Sequence, residues 1–232
     1  KEKHHITSLI LDLRDNGGGL VGAAVDILSM FVPRGTTVLE SRGKDADGNH
    51  VYKTNREPID TQIPLVVLIN GYTASSSEVV AGALQDLDRA VVVGERSYGK
   101  GLIQQVFPLP YNRTIKVTVS YYYIPSGRSI QAIDYTKRDA DGRVARVPDS
   151  LTNEFKTAGG RIVRDGGGIT PDIAIKPDTM SHLHYYLYMG HHIFDYATRY
   201  VSSHDTIAPA ADFSLTDADY EDFVKFMADK DV

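Results

Sequence analysis

Twice early in the chain, a run of branched aliphatic residues stops at a cluster of small residues and gives way to a helical stretch. Ile6 to Leu13 (ITSLILDL) ends at Arg14-Asp15-Asn16-Gly17-Gly18-Gly19, and Leu20 to Val32, apolar almost all round, is predicted to form a buried helix. Pro64 to Asn70 (PLVVLIN) ends at a Gly/Thr/Ser cluster, and Ser75 to Leu87 follows with Val79, Val80, Ala83, Leu84 and Leu87 on one helical face. Ala90 to Gly94 is a third apolar strand. Strands that alternate with helices cannot be joined as hairpins, so the first half of the chain implies an α/β core with parallel pairing.

Hairpins decorate this core. Thr36–Glu40 and Val51–Thr54 flank the turn cluster 45–49, and Leu102–Leu109 and Thr114–Ile124 flank Pro110-Tyr111-Asn112-Arg113. Val117, Val119, Tyr121 and Tyr123 alternate with Lys116, Thr118, Ser120 and Tyr122, the pattern of a strand with one buried face. Residues 134–149 are charged and poor in apolar side chains, as expected of a mobile surface insertion. Arg161–Val163 and Ile169–Ile175 are short strand candidates around Gly166-Gly167-Gly168. After Pro177 the character changes: Met180–Val201 is predicted as one helix rich in Tyr and His, and Thr216–Asp229 as a second, opened by Thr216-x-x-Asp219. The expected division is a core over 1–178 and a helical extension over 179–232.

Composition removes several function classes. With 25 Lys+Arg against 30 Asp+Glu the formal charge is −5, and no basic run offers a nucleic-acid or anionic-membrane surface. The chain has no Cys, which excludes disulfides, thiolate zinc sites and cysteine nucleophiles. None of the 8 His falls in a His-Glu-x-x-His pattern, so no metal or other cofactor is expected. No apolar run approaches the ~18–20 residues of a membrane helix. The chain opens on Lys1 with no signal peptide in view, as an internal fragment of a longer protein would.

Three places could carry chemistry. The glycine run 17–19 is either a tight strand-to-helix turn or a set of amides that holds an anion or a developing oxyanion. In Thr73-Ala74-Ser75-Ser76-Ser77-Glu78, Ser75-x-x-Glu78 fits a capping box, which makes Ser75 an N-cap. The other reading makes Ser75 a nucleophile at the positive end of a helix. Spacing alone does not choose between the two, and the cap is the favoured reading at this point. Gly94 to Gly101 (GERSYGKG) imitates a phosphate loop, but Gly101 stands where Ser or Thr should hold Mg²⁺, and the residues after it are strand-like. Lys100, between two glycines beside a hydrophobic strand, is either a loop-edge lysine or a partly buried one. Burial disfavours the ammonium and makes a lysine fit for general-base work.

Taken together, LDLRDNGGGL (11–20), LVVLINGYTASSSEVVAGALQD (65–86), AVVVGERSYGKGLIQQVFPL (90–109), SYYYIPSGRSIQ (120–131) and GGGITPDIAI (166–175) resemble the C-terminal processing peptidases, tail-specific serine proteases of the S41 kind. The motifs lie in order along most of the chain. The resemblance implies a crotonase-like α/β spiral core with extra hairpins and a Ser–Lys dyad. Ser75 would be the nucleophile, Lys100 the general base, Gln104 the residue that positions the lysine, and the amides of Gly19 and Ser76 the oxyanion hole. Thr73 and Ser76 depart from the family's Ser-Ala-Ser-Ala-Ser-Glu pattern. Asp86 matches an acidic position counted as important in relatives. It lies eleven residues along the helix, about 16 Å from Ser75 at 1.5 Å per residue, so a structural role is expected of it. Even spacing places Lys100 and Gln104 on one side of a strand.

The resemblance also implies protein or peptide substrates cut toward their C-termini, a PDZ domain upstream, possible self-association as a homo-oligomer, and a periplasmic, cell-envelope or thylakoid-lumen location. A non-proteolytic module that binds apolar ligands or peptides on the same scaffold is the alternative. The joint presence of Ser75, Lys100 and Gln104 argues against it.

Overall fold

The computed structural model describes residues 6–44, 49–138, 144–176, 180–228 and 230. The expected turn at 45–49 lies outside them except for Asn49, as do His4, His5 and residues 139–143 of the expected insertion. The chain divides into two compact units, Lys1–Lys176 and Pro177–Val232. The first runs β1 (Leu9–Asp12), α1 (Val21–Leu28), β2 (Thr37–Gly43), β3 (His50–Lys53), β4 (Leu65–Ile69), α2 (Ser76–Asp86), β5 (Val91–Gly94), β6 (Leu102–Leu109), β7 (Arg113–Tyr123), β8 (Ile133–Arg138), β9 (Val144–Arg146), β10 (Glu154–Lys156), β11 (Ile162–Arg164) and β12 (Ile173–Ala174).

A parallel sheet of order β1-β4-β5-β12 forms the base, with Leu9 opposite Leu65, Val67 opposite Val92 and Ile173 opposite Val93. A second four-stranded sheet, antiparallel, has the order β3-β2-β7-β6. The aliphatic run Ile6–Leu13 predicts a largely buried strand, but β1 lies at the sheet edge and Ile10 is 65% exposed. β4, flanked on both sides, alternates fully buried Val67 and Ile69 with half-buried neighbours. The first helix ends at Leu28, well before the expected Val32, because tighter turns from Met30 to Ile27 and from Phe31 to Leu28 close it.

The second helix departs most from expectation. Every residue of α2 from Ser76 to Asp86 is buried, not one face alone. A helix enclosed all round must pair its polar side chains internally. Gln85 Nε2 donates to the Thr170 carbonyl and to Asp172. Asp86 Oδ1 accepts from Arg128 at 2.8 Å, and its Oδ2 accepts the Ser126 amide at 3.0 Å. Arg128 and Asp86 are both almost wholly withdrawn from water. Arg128 also donates to Gln85 and to the Arg164 carbonyl. Asp86 thereby ties the far end of α2 to the loop after β7.

In β7 the alternation runs opposite to the apolar pattern. Ser120 and Tyr122 are the buried members, while Tyr121 is 43% exposed. The β6–β7 ladder shifts by one residue between Ile103 and Gln104. The outer half of the hairpin extends past the core and is exposed on both faces, so its valines do not report the buried side. The expected insertion contains paired strands, β8 against β9. β10, a three-residue strand too short for its pattern to signal, pairs antiparallel with β11.

In the second unit the predicted single helix over Met180–Val201 is two, α3 (His182–Met189) and α4 (His192–Ser202). Gly190 ends the first, and His191, with φ 56°, turns the chain left-handed between them. α5 (Asp217–Ala228) opens on the reciprocal Thr216–Asp219 hydrogen bonds that its sequence predicts. Tyr196 packs edge-on against Phe223 and donates to the Asp219 carbonyl.

Removing one member of a buried ion pair leaves an uncompensated charge, at a cost of about 3–5 kcal/mol. Asp86→Ala should therefore lower the unfolding free energy by about that amount in urea titration. A change within about 0.5 kcal/mol would show that the pair carries no structural weight.

Candidate active site

Two loops meet at the carboxyl ends of adjacent parallel strands, where open α/β sheets place their ligands. After β1, residues 13–20 carry the glycine run. After β4, residues 70–75 lead into α2. Four side-chain or backbone bonds stitch them together. Thr73 Oγ1 donates to the Leu13 carbonyl at 2.8 Å, and the Ala74 amide to the Asn16 carbonyl at 3.0 Å. Ser77 Oγ donates to Asn16 Oδ1 at 2.9 Å, and Ser76 Oγ to the Gly19 carbonyl at 2.8 Å. Asn70 adds a reciprocal pair with Asp15.

Gly18 sits where no side chain fits. Its φ is +91°, and a Cβ there would lie 2.6 Å from the Ala74 carbonyl oxygen, 2.8 Å from the Ser76 nitrogen and 2.9 Å from Ser75 Cβ. The glycine therefore lets one loop close on the backbone of the other. It brings Gly19 beside Ser76, and neither residue's amide has an acceptor among the described residues.

Ser75 takes φ 59° and ψ −123°, far from the extended conformation of an ordinary N-cap. Such backbone is strained for a residue with a side chain and persists only where its surroundings hold it. The holding group is Glu78. Its Oε2 accepts the Ser75 amide at 2.8 Å, one arm of the predicted capping box. The same oxygen accepts the Lys100 amide at 2.8 Å. Oε1 accepts the Gly99 amide at 2.7 Å and the Ser97 hydroxyl at 2.5 Å. Burial pushes the Glu78 carboxyl up from its ordinary range, against the pull of these four donors.

The segment from Ser97 to Gly101 is pinned along its length. Ser97 exchanges hydrogen bonds with the backbone of Ile169. The Tyr98 amide reaches the Thr73 carbonyl, and the Tyr98 carbonyl accepts from Arg146 of β9. The Gly99 carbonyl accepts from Ala132, and the Gly101 amide reaches Gln131 Oε1. The Tyr122 hydroxyl donates to the Lys100 carbonyl. Lys100 itself is half-buried, and no ion pair engages it among the described residues.

The structure thus brings Gly19, Ser75, Ser76 and the Lys100 backbone into one neighbourhood. Gln104 stands apart. It is exposed on edge strand β6 opposite Thr118, with no hydrogen bond to Lys100 among the described residues. The even-spacing argument does not reach Lys100, because β6 begins only at Leu102. Asp86 is at the opposite end of α2, bound to Arg128. Among the described residues no cluster of three or more His, Asp or Glu could hold a metal. Glu78 is the residue whose importance spacing understated: Ser-x-x-Glu signals a cap, but nothing local says that the same carboxyl holds a segment twenty residues on. A cavity of about 170 Å³ opens beside Gly19 and Ser76, walled by Leu20, Ala23, Ile27 and Val80.

Residues 1–139 match the family model described as Peptidase family S41, and residues 183–232 match that of the probable PDZ-protease, C-terminal helical domain. The chloroplastic C-terminal processing peptidase of Tetradesmus obliquus is 46% identical over 132 residues, 56% of this chain and 28% of that protein. The carboxy-terminal-processing protease of Bartonella bacilliformis is 41% identical over 127 residues, 55% of this chain and 29% of that one. Among solved structures, the photosystem II D1 C-terminal processing protease superposes with a TM-score of 0.55 at 34% identity, over 78% of this chain and 37% of that chain. The chain spans less than a third of the length of these two curated relatives.

Gly18→Ala forces a positive-φ residue against the Ser75 backbone and should destabilise the protein by about 1–3 kcal/mol, read by thermal unfolding. A raised folded-state value means that Glu78's contribution is complete below its ordinary pKa of 4.5 and is lost as pH rises through the folded value. Glu78→Gln does not ionise. The stability of the wild type relative to this variant should therefore fall as pH rises from about 4.5, and a pH-independent difference would contradict the assignment.

Proposed function

The chain belongs to peptidase family S41, and on that premise we propose that it forms the catalytic core of a serine endopeptidase that hydrolyses proteins toward their C-termini with a Ser75–Lys100 dyad. The observation that carries this reading is the strained Ser75 backbone at the head of α2, tied through one oxygen of Glu78 to the Lys100 amide. Strain of this kind collects where a reactive group must be displayed.

In this mechanism the neutral Lys100 amine takes the Ser75 Oγ proton as the oxygen attacks the scissile carbonyl carbon. The C=O bond opens, and its oxygen takes negative charge in front of the Gly19 and Ser76 amides. Those donors have no other acceptor among the described residues and stand near the positive end of α2. Collapse of the intermediate breaks the C–N bond, and the Lys100 ammonium returns its proton to the leaving amine. Water then enters by the same steps in reverse and frees the acid from Ser75. A substrate side chain next to the carbonyl can enter the apolar cavity walled by Ala23, Ile27 and Val80.

Lys100 is positioned here through its main chain, by Glu78 and by Tyr122. Gln104 is assigned as a polar group on the adjoining edge strand, and Asp86 as an anchor for the far end of α2. The parallel sheet and its helices are taken as a crotonase-like spiral. The match of the second unit to a helical domain of PDZ-proteases supports a PDZ domain elsewhere in the same protein, one that delivers substrate ends. Bacterial and chloroplastic relatives support an extracytoplasmic or lumenal location.

The test is cleavage of an unfolded protein substrate by the full-length protein. Ser75→Ala and Lys100→Ala should each reduce kcat by at least about a thousandfold while the thermal transition is retained. Cleavage at the wild-type rate by either variant removes the dyad.

A further inference from the structure

Three consecutive glycines follow β1, and the site accounts for only two of them. Gly18 closes against the Ser75 turn, and Gly19 supplies an amide with no acceptor among the described residues. Gly17 has no such reason. Its φ is not positive, and a Cβ built on it meets no atom within 4 Å. Its amide has no acceptor among the described residues. Neither backbone geometry nor space requires a glycine there.

What a glycine at 17 permits is chemistry at its neighbour. Asn16 is exposed, and its Oδ1 accepts the Gly18 amide at 3.0 Å and the Ser77 hydroxyl at 2.9 Å. Its Nδ2 has no acceptor among the described residues. An amide carbonyl with two donors on its oxygen and an untied nitrogen is set up for attack at carbon, because the charge that develops on oxygen meets donors already in place. The Gly17 nitrogen is the next atom group along the chain, and no side chain shields it.

We propose that Asn16-Gly17 is a self-modification site, at which the Gly17 nitrogen closes on Asn16 Cγ, expels ammonia and leaves an aspartyl or isoaspartyl residue in the glycine loop. The Gly17 N–H gives its proton to solvent as the N–Cγ bond forms. The Cγ–Nδ2 bond breaks, and the nitrogen takes a proton from water and departs as ammonia. Water then opens the cyclic imide. Addition at Cγ gives aspartate, and addition at the main-chain carbonyl gives the isoaspartyl link, with the backbone rerouted through Cβ and Cγ. Either product changes the site. A carboxylate that accepts from Ser77 puts negative charge at the first turn of α2, where an oxyanion would gather. The isoaspartyl link lengthens the main chain next to Gly18, which already has no room for a Cβ against Ala74 and Ser76. The modification is independent of the dyad, whereas the loss of activity rests on the Ser75–Lys100 reading above.

The second Asn-Gly pair, Asn70-Gly71, is an internal control. Asn70 is half-buried, and its Nδ2 donates to Asp15 Oδ1 at 3.0 Å, so the nitrogen that would have to leave is tied down.

The full-length protein is incubated in mildly alkaline buffer, and peptides across positions 16 and 70 are followed by mass spectrometry for the amide-to-acid increment. Conversion should appear at Asn16 well before Asn70, and it should speed up with pH because the attacking nitrogen must shed its proton. Gly17→Ala should slow it at least about tenfold, ~1.4 kcal/mol on the barrier. Ser77→Ala keeps the Asn-Gly pair, removes one donor from Oδ1 and should also slow conversion by about tenfold. It supplies the measurement if Gly17→Ala fails to fold. Ser75→Ala should convert at the wild-type rate, since Gly17 is the nucleophile. In the wild type, kcat should fall in proportion to the fraction of Asn16 converted, because a reacting group misplaced by about 1 Å loses about a hundredfold. Conversion at Asn70 ahead of Asn16 overturns the proposal, as does an unchanged rate in Gly17→Ala or a converted protein with full kcat. If either dyad variant cleaves normally, the dyad fails while the mass readout still decides the Asn16 site.

Discussion

One carboxyl group holds the site together. Glu78 is fully buried, and a buried carboxyl is tolerated only where donors surround it. Its donors come from two separate places: the amide of Ser75 at its own helix's entrance, and Ser97, Gly99 and Lys100 beyond β5. Each lone pair used for one segment fixes the other, so the serine turn and the lysine segment are held as one body. The positive φ of Ser75 is sustained by the same bonds.

Two acids on α2 divide the work of fastening the helix. Glu78 binds the segments at its head, and Asp86 binds Arg128 and the Ser126 amide at its tail. Because α2 is enclosed on every side, the polar side chains at its two ends are satisfied by protein groups rather than by water. The result is a rigid rod whose N-terminus, where the Ser76 amide has no acceptor among the described residues, faces the glycine loop. Preorganised donors of this kind need no rearrangement when charge develops in front of them.

The same logic explains why the hairpins matter. β7 delivers Tyr122 to the lysine segment, and the strands after it deliver Gln131, Ala132 and Arg146 to the carbonyls and amides on either side of Lys100. The charged region that looks like surface decoration in sequence touches the segment that carries the lysine.

By itself the sequence determined the order of strands and helices, the parallel core and the residues that could bear chemistry, because aliphatic periodicity and small-residue turns are local properties of the chain. It also marked Ser75, Gly19 and Lys100 through motifs that stand in fixed positions relative to those elements. Tertiary structure alone decided which face of β7 is buried, that α2 is enclosed all round, that Glu78 serves two distant segments, and that Gln104 faces outward while Tyr122 faces in. The first three follow from long-range packing and from a ladder shift that side-chain alternation does not encode. The last follows from hydrogen-bond geometry between residues more than twenty positions apart, which has no counterpart in spacing along the chain.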